Sequence, residues 1–124
     1  METMLLIGLG GFIGANLRYA VSMWAAERFG RAFPWGTLII NATGSCLLAV
    51  FLGWAASHIQ LDPRVRLFLA VGFFGAYTTF STYATESVAL AQAGDWVGSL
   101  GNVLATNLIC IVGTVLGLAI GSRL

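Results

Sequence analysis

The stretch LFLAVGFFGAYTTFSTYAT, residues 67–85, carries no charged side chain and approaches the roughly 20 mainly apolar residues that one crossing of a hydrocarbon core requires. Its first half is aliphatic and aromatic, and its second half is crowded with hydroxyls. Residues 32–61 and 96–122 are equally free of Asp, Glu, Lys and Arg, and residues 4–26 are apolar apart from a few polar positions, Asn16 and Arg18 chief among them. Four spans of about 22 residues would occupy about 88 positions of a chain of 124. The pattern predicts an all-α membrane protein, a single four-helix transmembrane domain over residues 1–124. Its helices should lie near 4–26, 36–57, 67–92 and 97–120, with short loops marked by Gly30 and Pro34, by Asp62-Pro63 and by Gly94-Asp95.

Composition excludes other classes. Only 9% of residues are charged and 58% are hydrophobic, against roughly 25% charged in a soluble domain. The formal net charge is +1 with scattered arginines, which gives no basic patch for nucleic acid. The N-terminal run lacks a positive leader and a cleavage-site pattern, so it is expected to remain as a helix. Cys46 and Cys110 fall in mid-span without ligands at helical spacing and read as small apolar residues. His58 reads as a solvated loop residue. Trp24, Trp35 and Trp96 mark helix ends, where amphipathic rings suit the headgroup layer, and Trp54 lies a turn inside. The glycines of IGLGGFIGAN, with Glu27 about twenty residues on, suggest a dinucleotide-binding turn, but Gly8-x-Gly10-x-x-x-Gly14 has the wrong spacing and no strand precedes it.

Orientation is usually set by an excess of Lys and Arg in cytoplasmic loops. The chain has no lysine; Arg64, Arg66 and Arg123 lie on the side of the termini, and Arg28 and Arg31 on the other, with Arg18 inside the membrane nearby. So even a distribution predicts insertion in both orientations, and two opposed copies would pack about a two-fold axis in the membrane plane as an antiparallel dual-topology homodimer. Glycine supplies 16 residues, several at the four-residue spacing that lets helix backbones approach in lipid: Gly10 and Gly14, then Gly113, Gly117 and Gly121.

Polar residues inside the spans carry the functional signal. Arg18 is costly near the bilayer interior unless hydrated or paired. It lies about 12 Å from its helix end by helix rise, farther than snorkelling comfortably covers, which favours a water-filled, anion-attracting vestibule. Asn41 admits two readings, as a polar tie between helices or as a donor lining an ion path. In the third span, Gly75 followed by Thr78, Thr79, Ser81, Thr82, Thr85 and Glu86 suggests a helix break, whose freed backbone is tolerated only against protein or a cavity. Phe80 and Tyr83 share a face beside the hydroxyls, and ring edges with hydroxyl donors suit an anion. Asn107 and Thr114 could extend that track. Glu86 would instead suit a small proton-coupled multidrug or organic-cation exporter. No catalytic constellation and no nucleotide motif is present, so the chain does not read as an enzyme.

The segments GGFIGANLRY, GTLIINATGS and GAYTTFSTYATE together resemble the bacterial fluoride channel family, Fluc or CrcB, over all four spans. The resemblance implies a multi-pass protein of the bacterial inner membrane, an antiparallel dimer with two pores that exports cytoplasmic fluoride passively down its electrochemical gradient. It implies pore-lining roles for Asn41, Phe80 and Tyr83, with hydroxyls from Ser81 and Thr82 and with Arg18 at the vestibule. It further implies a central structural sodium ion held by backbone carbonyls of Gly75 and Thr78 from both subunits. One position departs from the family pattern: phenylalanine is usual where this chain has Tyr83.

Overall fold

Several helix boundaries have a local cause. In the computed structural model, which describes residues 1–124, helix α1 (Glu2–Phe29) ends at Gly30, whose φ of 82° would strain any residue with a Cβ. Helix α2 (Trp35–Ser57) follows Pro34. The third span is discontinuous. Its first part, α3, covers residues 63–77 and consists of an α-helical turn, Pro63–Arg66, a π-helical stretch, Leu67–Phe74, and a last turn, Gly75–Tyr77. Its second part is α4 (Phe80–Gln92), and α5 (Trp96–Gly121) completes the chain. Asp62 caps α3 by accepting from the Arg64 amide at 2.9 Å, and Asp95 caps α5 by accepting from the Gly98 amide at 2.8 Å.

Four helical spans long and apolar enough to cross a membrane result, at Glu2–Phe29, Trp35–Ser57, Pro63–Gln92 and Trp96–Gly121. The third begins at Pro63, ahead of the expected Leu67, because the Asp-Pro pair is both a turn signal and a well-formed helix start.

The packing mixes small, apolar and polar residues inside and leaves many large apolar side chains outside. Phe12, Leu104 and Leu108 are exposed, whereas the buried set includes Thr37, Asn41, Thr79, Ser87, Asn102 and Thr106. Lipid supplies no hydrophobic drive between helices, so close backbone approach and hydrogen bonds hold the bundle. Gly10 and Gly14 of α1 lie against the backbone of Phe68 and Phe73 in α3, where any Cβ would collide. Gly117 and Gly121 of α5 meet the backbone of Cys46 and Val50 in α2 in the same way. Both glycine spacings therefore do what the sequence predicts, and α2 against α5 and α1 against α3 are the main contacts of the bundle.

A buried polar chain ties α4 to α5. Ser99 Oγ donates to the Ser87 carbonyl at 2.8 Å, Asn102 Nδ2 donates to Ser87 Oγ at 2.9 Å, and Thr106 Oγ1 donates to Asn102 Oδ1 at 3.2 Å. Asn102 is completely buried. Around the connection between α1 and α2, Trp24, Phe29, Phe33 and Trp35 cluster, with the Trp24 and Phe29 rings edge to face at 5.7 Å. His58 is exposed, as expected of a loop residue, but it also stacks on Trp54 at 4.4 Å. The ion pair Arg64–Glu2, at 3.0 Å, joins the N-terminus to the start of α3, so both sit at the same end of the bundle.

A candidate anion site at the break in the third span

The third span breaks at Thr78 and Thr79, within the hydroxyl cluster that follows Gly75. Gly75 keeps helical angles, φ −60° and ψ −34°, whereas Thr78 and Thr79 are extended, with ψ of 157° and 111°. The reason is a partner on α2. The Thr79 amide donates to Asn41 Oδ1 at 2.8 Å, and Asn41 Nδ2 donates to the Thr79 carbonyl at 2.9 Å. A side-chain amide thus replaces a peptide group in the helical ladder, and the break opens where that replacement is available. Gly44, one turn along α2, admits the Thr78 side chain where a Cβ would block it.

The last ladder bond before the break is Thr78 N–H to the Phe74 carbonyl, at 3.1 Å. The carbonyls of Gly75 and Thr78 accept no backbone bond across the gap. Hard oxygen donors of this kind fit a sodium ion better than a thiolate or imidazole set would, and the bundle has no cluster of His, Cys, Asp or Glu to serve instead. Gly75 is exposed on the protomer surface.

On the far side of the break, Thr79 caps α4. Its Oγ1 accepts from the Thr82 amide at 3.2 Å and donates to Thr82 Oγ1 at 2.9 Å, which leaves the Thr82 hydroxyl proton uncommitted. Ser81 Oγ lies 3.4 Å from Thr79 Oγ1. The hydroxyl motif is thereby revealed as partly structural: Thr79 builds the cap, while Ser81 and Thr82 are exposed beside it.

A cavity of about 230 Å³ opens at this point, lined by Asn41, Ser45, Thr78, Phe80, Tyr83, Thr106, Asn107, Cys110 and Ile111. It brings together Asn41, Phe80 and Tyr83 with Thr78 and Asn107, all singled out from the sequence. The two rings lie 5.4 Å apart at an interplanar angle of 57°, but they differ in setting. Tyr83 is 7% exposed and Phe80 77%. Asn41 uses one of its two amide hydrogens on Thr79 and keeps the other for the cavity it lines, so its two sequence readings are compatible.

Other predicted residues fall elsewhere. Ser81, Thr82 and Thr114 are not on the wall of this cavity. Arg18 makes no hydrogen bond or ion pair within the chain, and the guanidinium on a second, larger cavity of about 470 Å³ belongs to Arg31. Thr37 and Glu86 line that same cavity, and Glu86 Oε2 is buried without a hydrogen-bond partner. Sequence reasoning missed Ser45 and Thr106 as wall residues. Thr106 was detectable, since it stands four residues from Asn102 and Cys110 on one helical stripe; Ser45 was hidden because its relation to the break is purely tertiary. Cys110, read as an apolar filler, lines the cavity as a free thiol.

The family model described as CrcB-like protein, Camphor Resistance (CrcB), matches residues 5–118. The chain belongs to the CrcB family. Three of its relatives carry the name fluoride-specific ion channel FluC. The one from Koribacter versatilis is 50% identical over 111 residues, covering 90% of this chain and 87% of the relative. Those from Chloroflexus aurantiacus and Sorangium cellulosum are 39% and 40% identical, covering 98% and 100% of this chain and 96% and 98% of their own length. This CrcB member is a multi-pass membrane protein, with four spans of sufficient length and apolarity and relatives that are ion channels of nearly equal length.

Proposed function

We propose that this CrcB protein is a fluoride-selective channel, not an enzyme, that lets cytoplasmic fluoride leave passively down its electrochemical gradient. The observation that carries the proposal is the meeting of Asn41, Phe80 and Tyr83 on one cavity at a helix break, in a chain whose relatives are named fluoride-specific ion channels. Fluoride is small and strongly hydrated, so a pore must replace its water with donors. The uncommitted Asn41 amide hydrogen and the positive edge of the Phe80 ring can do so at the cavity. Ser81 and Thr82 hydroxyls, and Thr114 along α5, would receive the ion beyond it, and Arg18 would raise the local anion concentration at the vestibule. Membership of this family favours the channel over the proton-coupled exporter built on Glu86.

The working unit is an antiparallel, dual-topology homodimer with two pores. Support comes from the even arginine distribution and from the protomer surface. Phe80 is 77% exposed and Gly75 is uncovered beside a break at membrane depth, and irregular backbone in the hydrocarbon region requires protein or a cavity against it. A second copy would cover both. Gly75 and Thr78 carbonyls from the two subunits would hold the structural sodium ion, which when bound supplies fixed positive charge that binds the two breaks together.

The test is fluoride efflux from liposomes holding the purified protein, started by valinomycin under a potassium gradient, with chloride measured in parallel. The expected result is rapid fluoride release with chloride retained. Absence of fluoride release from a well-folded dimer in sodium, or chloride release at an equal rate, contradicts the proposal.

A further inference from the structure

Tyr83 is anchored from α5. Asn107 Nδ2 donates to the Tyr83 hydroxyl at 2.8 Å and to the Val103 carbonyl at 2.7 Å, which uses both hydrogens of that amide. A backbone carbonyl only accepts, so the Val103 bond fixes which end of the Asn107 side chain is nitrogen. The phenol oxygen is therefore the acceptor in its bond with Asn107, and its single proton is left free. No other hydrogen bond involves this hydroxyl, its ring is 7% exposed, and it borders the 230 Å³ cavity together with Asn41 and Phe80.

We infer that Asn107 is a positioning residue that makes Tyr83 a hydrogen-bond donor to the permeating anion. With the phenol oxygen occupied by Asn107, the proton has the cavity as its outlet, and a donor that is itself accepting a hydrogen bond is strengthened by polarisation. The anion then meets an O–H from Tyr83 in addition to the Asn41 amide hydrogen and the Phe80 ring edge. An O–H donor discriminates in favour of the stronger acceptor, so the pair favours fluoride over chloride. The inference rests on the channel reading above and deepens it at one position.

A double-mutant cycle tests it, with liposome fluoride efflux and the fluoride-to-chloride ratio as readouts. Asn107→Leu should lower fluoride flux by about fivefold, the scale of one net hydrogen bond, and reduce the fluoride-to-chloride ratio. In the Tyr83→Phe background the same change should alter flux less than about twofold, because the hydroxyl through which Asn107 acts is gone. Asn107→Ala serves if the leucine variant does not elute as a folded dimer. Equal effects of Asn107 substitution in both backgrounds, or no effect in the Tyr83 protein, overturn the inference while leaving the channel intact. Absence of fluoride flux in the wild-type protein overturns the channel reading and this inference together.

Discussion

Replacing Asn41 by leucine removes the peptide mimic at the break and leaves the Thr79 amide and carbonyl, both now bonded to it, without partners in a buried setting. Each orphaned group costs about 1–3 kcal/mol, so Asn41→Leu should lower the melting midpoint in detergent as well as abolish fluoride efflux. Phe80→Ile separates the two effects. Phe80 is exposed on the protomer, where its ring meets that of Tyr83, and isoleucine keeps apolar bulk there, so its replacement should abolish fluoride efflux from liposomes while the dimer elutes unchanged; full efflux would remove Phe80 from the pore. Much of this was legible at the level of residue types: an amide in one span and aromatics beside hydroxyls in another are costly in lipid, and their cost announces a site. What Asn41 bonds to was not legible, because the partner is 38 positions away and no local pattern encodes that register. Nor was the arrest of the Tyr83 hydroxyl by Asn107, which sequence spacing had joined only to Thr114.

At the scale of elements, the spans, their loops and the small-residue seams followed from hydropathy, turn residues and four-residue glycine spacing. So did a break in the third span, though not its position to the residue. Gly75 with the hydroxyl residues after it was the expected break; the chain stays helical at Gly75 and opens at two threonines of that cluster, where Asn41 and the Thr79 cap offer alternative hydrogen bonds. The π-helical winding of Leu67–Phe74 was also beyond sequence reach, and within it Gly72 is seated close against Ile7 and Gly10 of α1, a tertiary contact that no local pattern encodes. Gly121→Leu should collide with the Val50 backbone and prevent recovery of a monodisperse protein by size exclusion, whereas Gly101→Leu, where a Cβ meets nothing within 4 Å, should be tolerated. Thr79→Ala should lower thermal stability by about 1 kcal/mol through loss of the α4 cap, with Thr79→Ser retaining most of it.

For the whole molecule, the even arginine distribution implies that orientation is poised and easily tipped. Lysines introduced at His58 and Gln60 should drive that side to the cytoplasm in every copy and depress fluoride export in cells. Lysines at Ala32 and Gln92 should do the same in the opposite sense. Co-expression of the two biased forms should restore export, because each supplies the orientation the other lacks; reporter fusions at the C-terminus check the orientations directly. Restoration would fail if the working unit were parallel or monomeric.

The central claim, a passive pore selective for fluoride, is tested most directly by the reversal potential of the purified protein in a planar bilayer with a tenfold fluoride gradient, chloride equal on both sides and the pH then varied. A reversal near 59 mV is expected, the value for a single-charge ion at a tenfold ratio, unmoved by added chloride or by a pH gradient. A reversal that follows chloride would deny selectivity, and one that follows the proton gradient would deny passive conduction and return attention to Glu86.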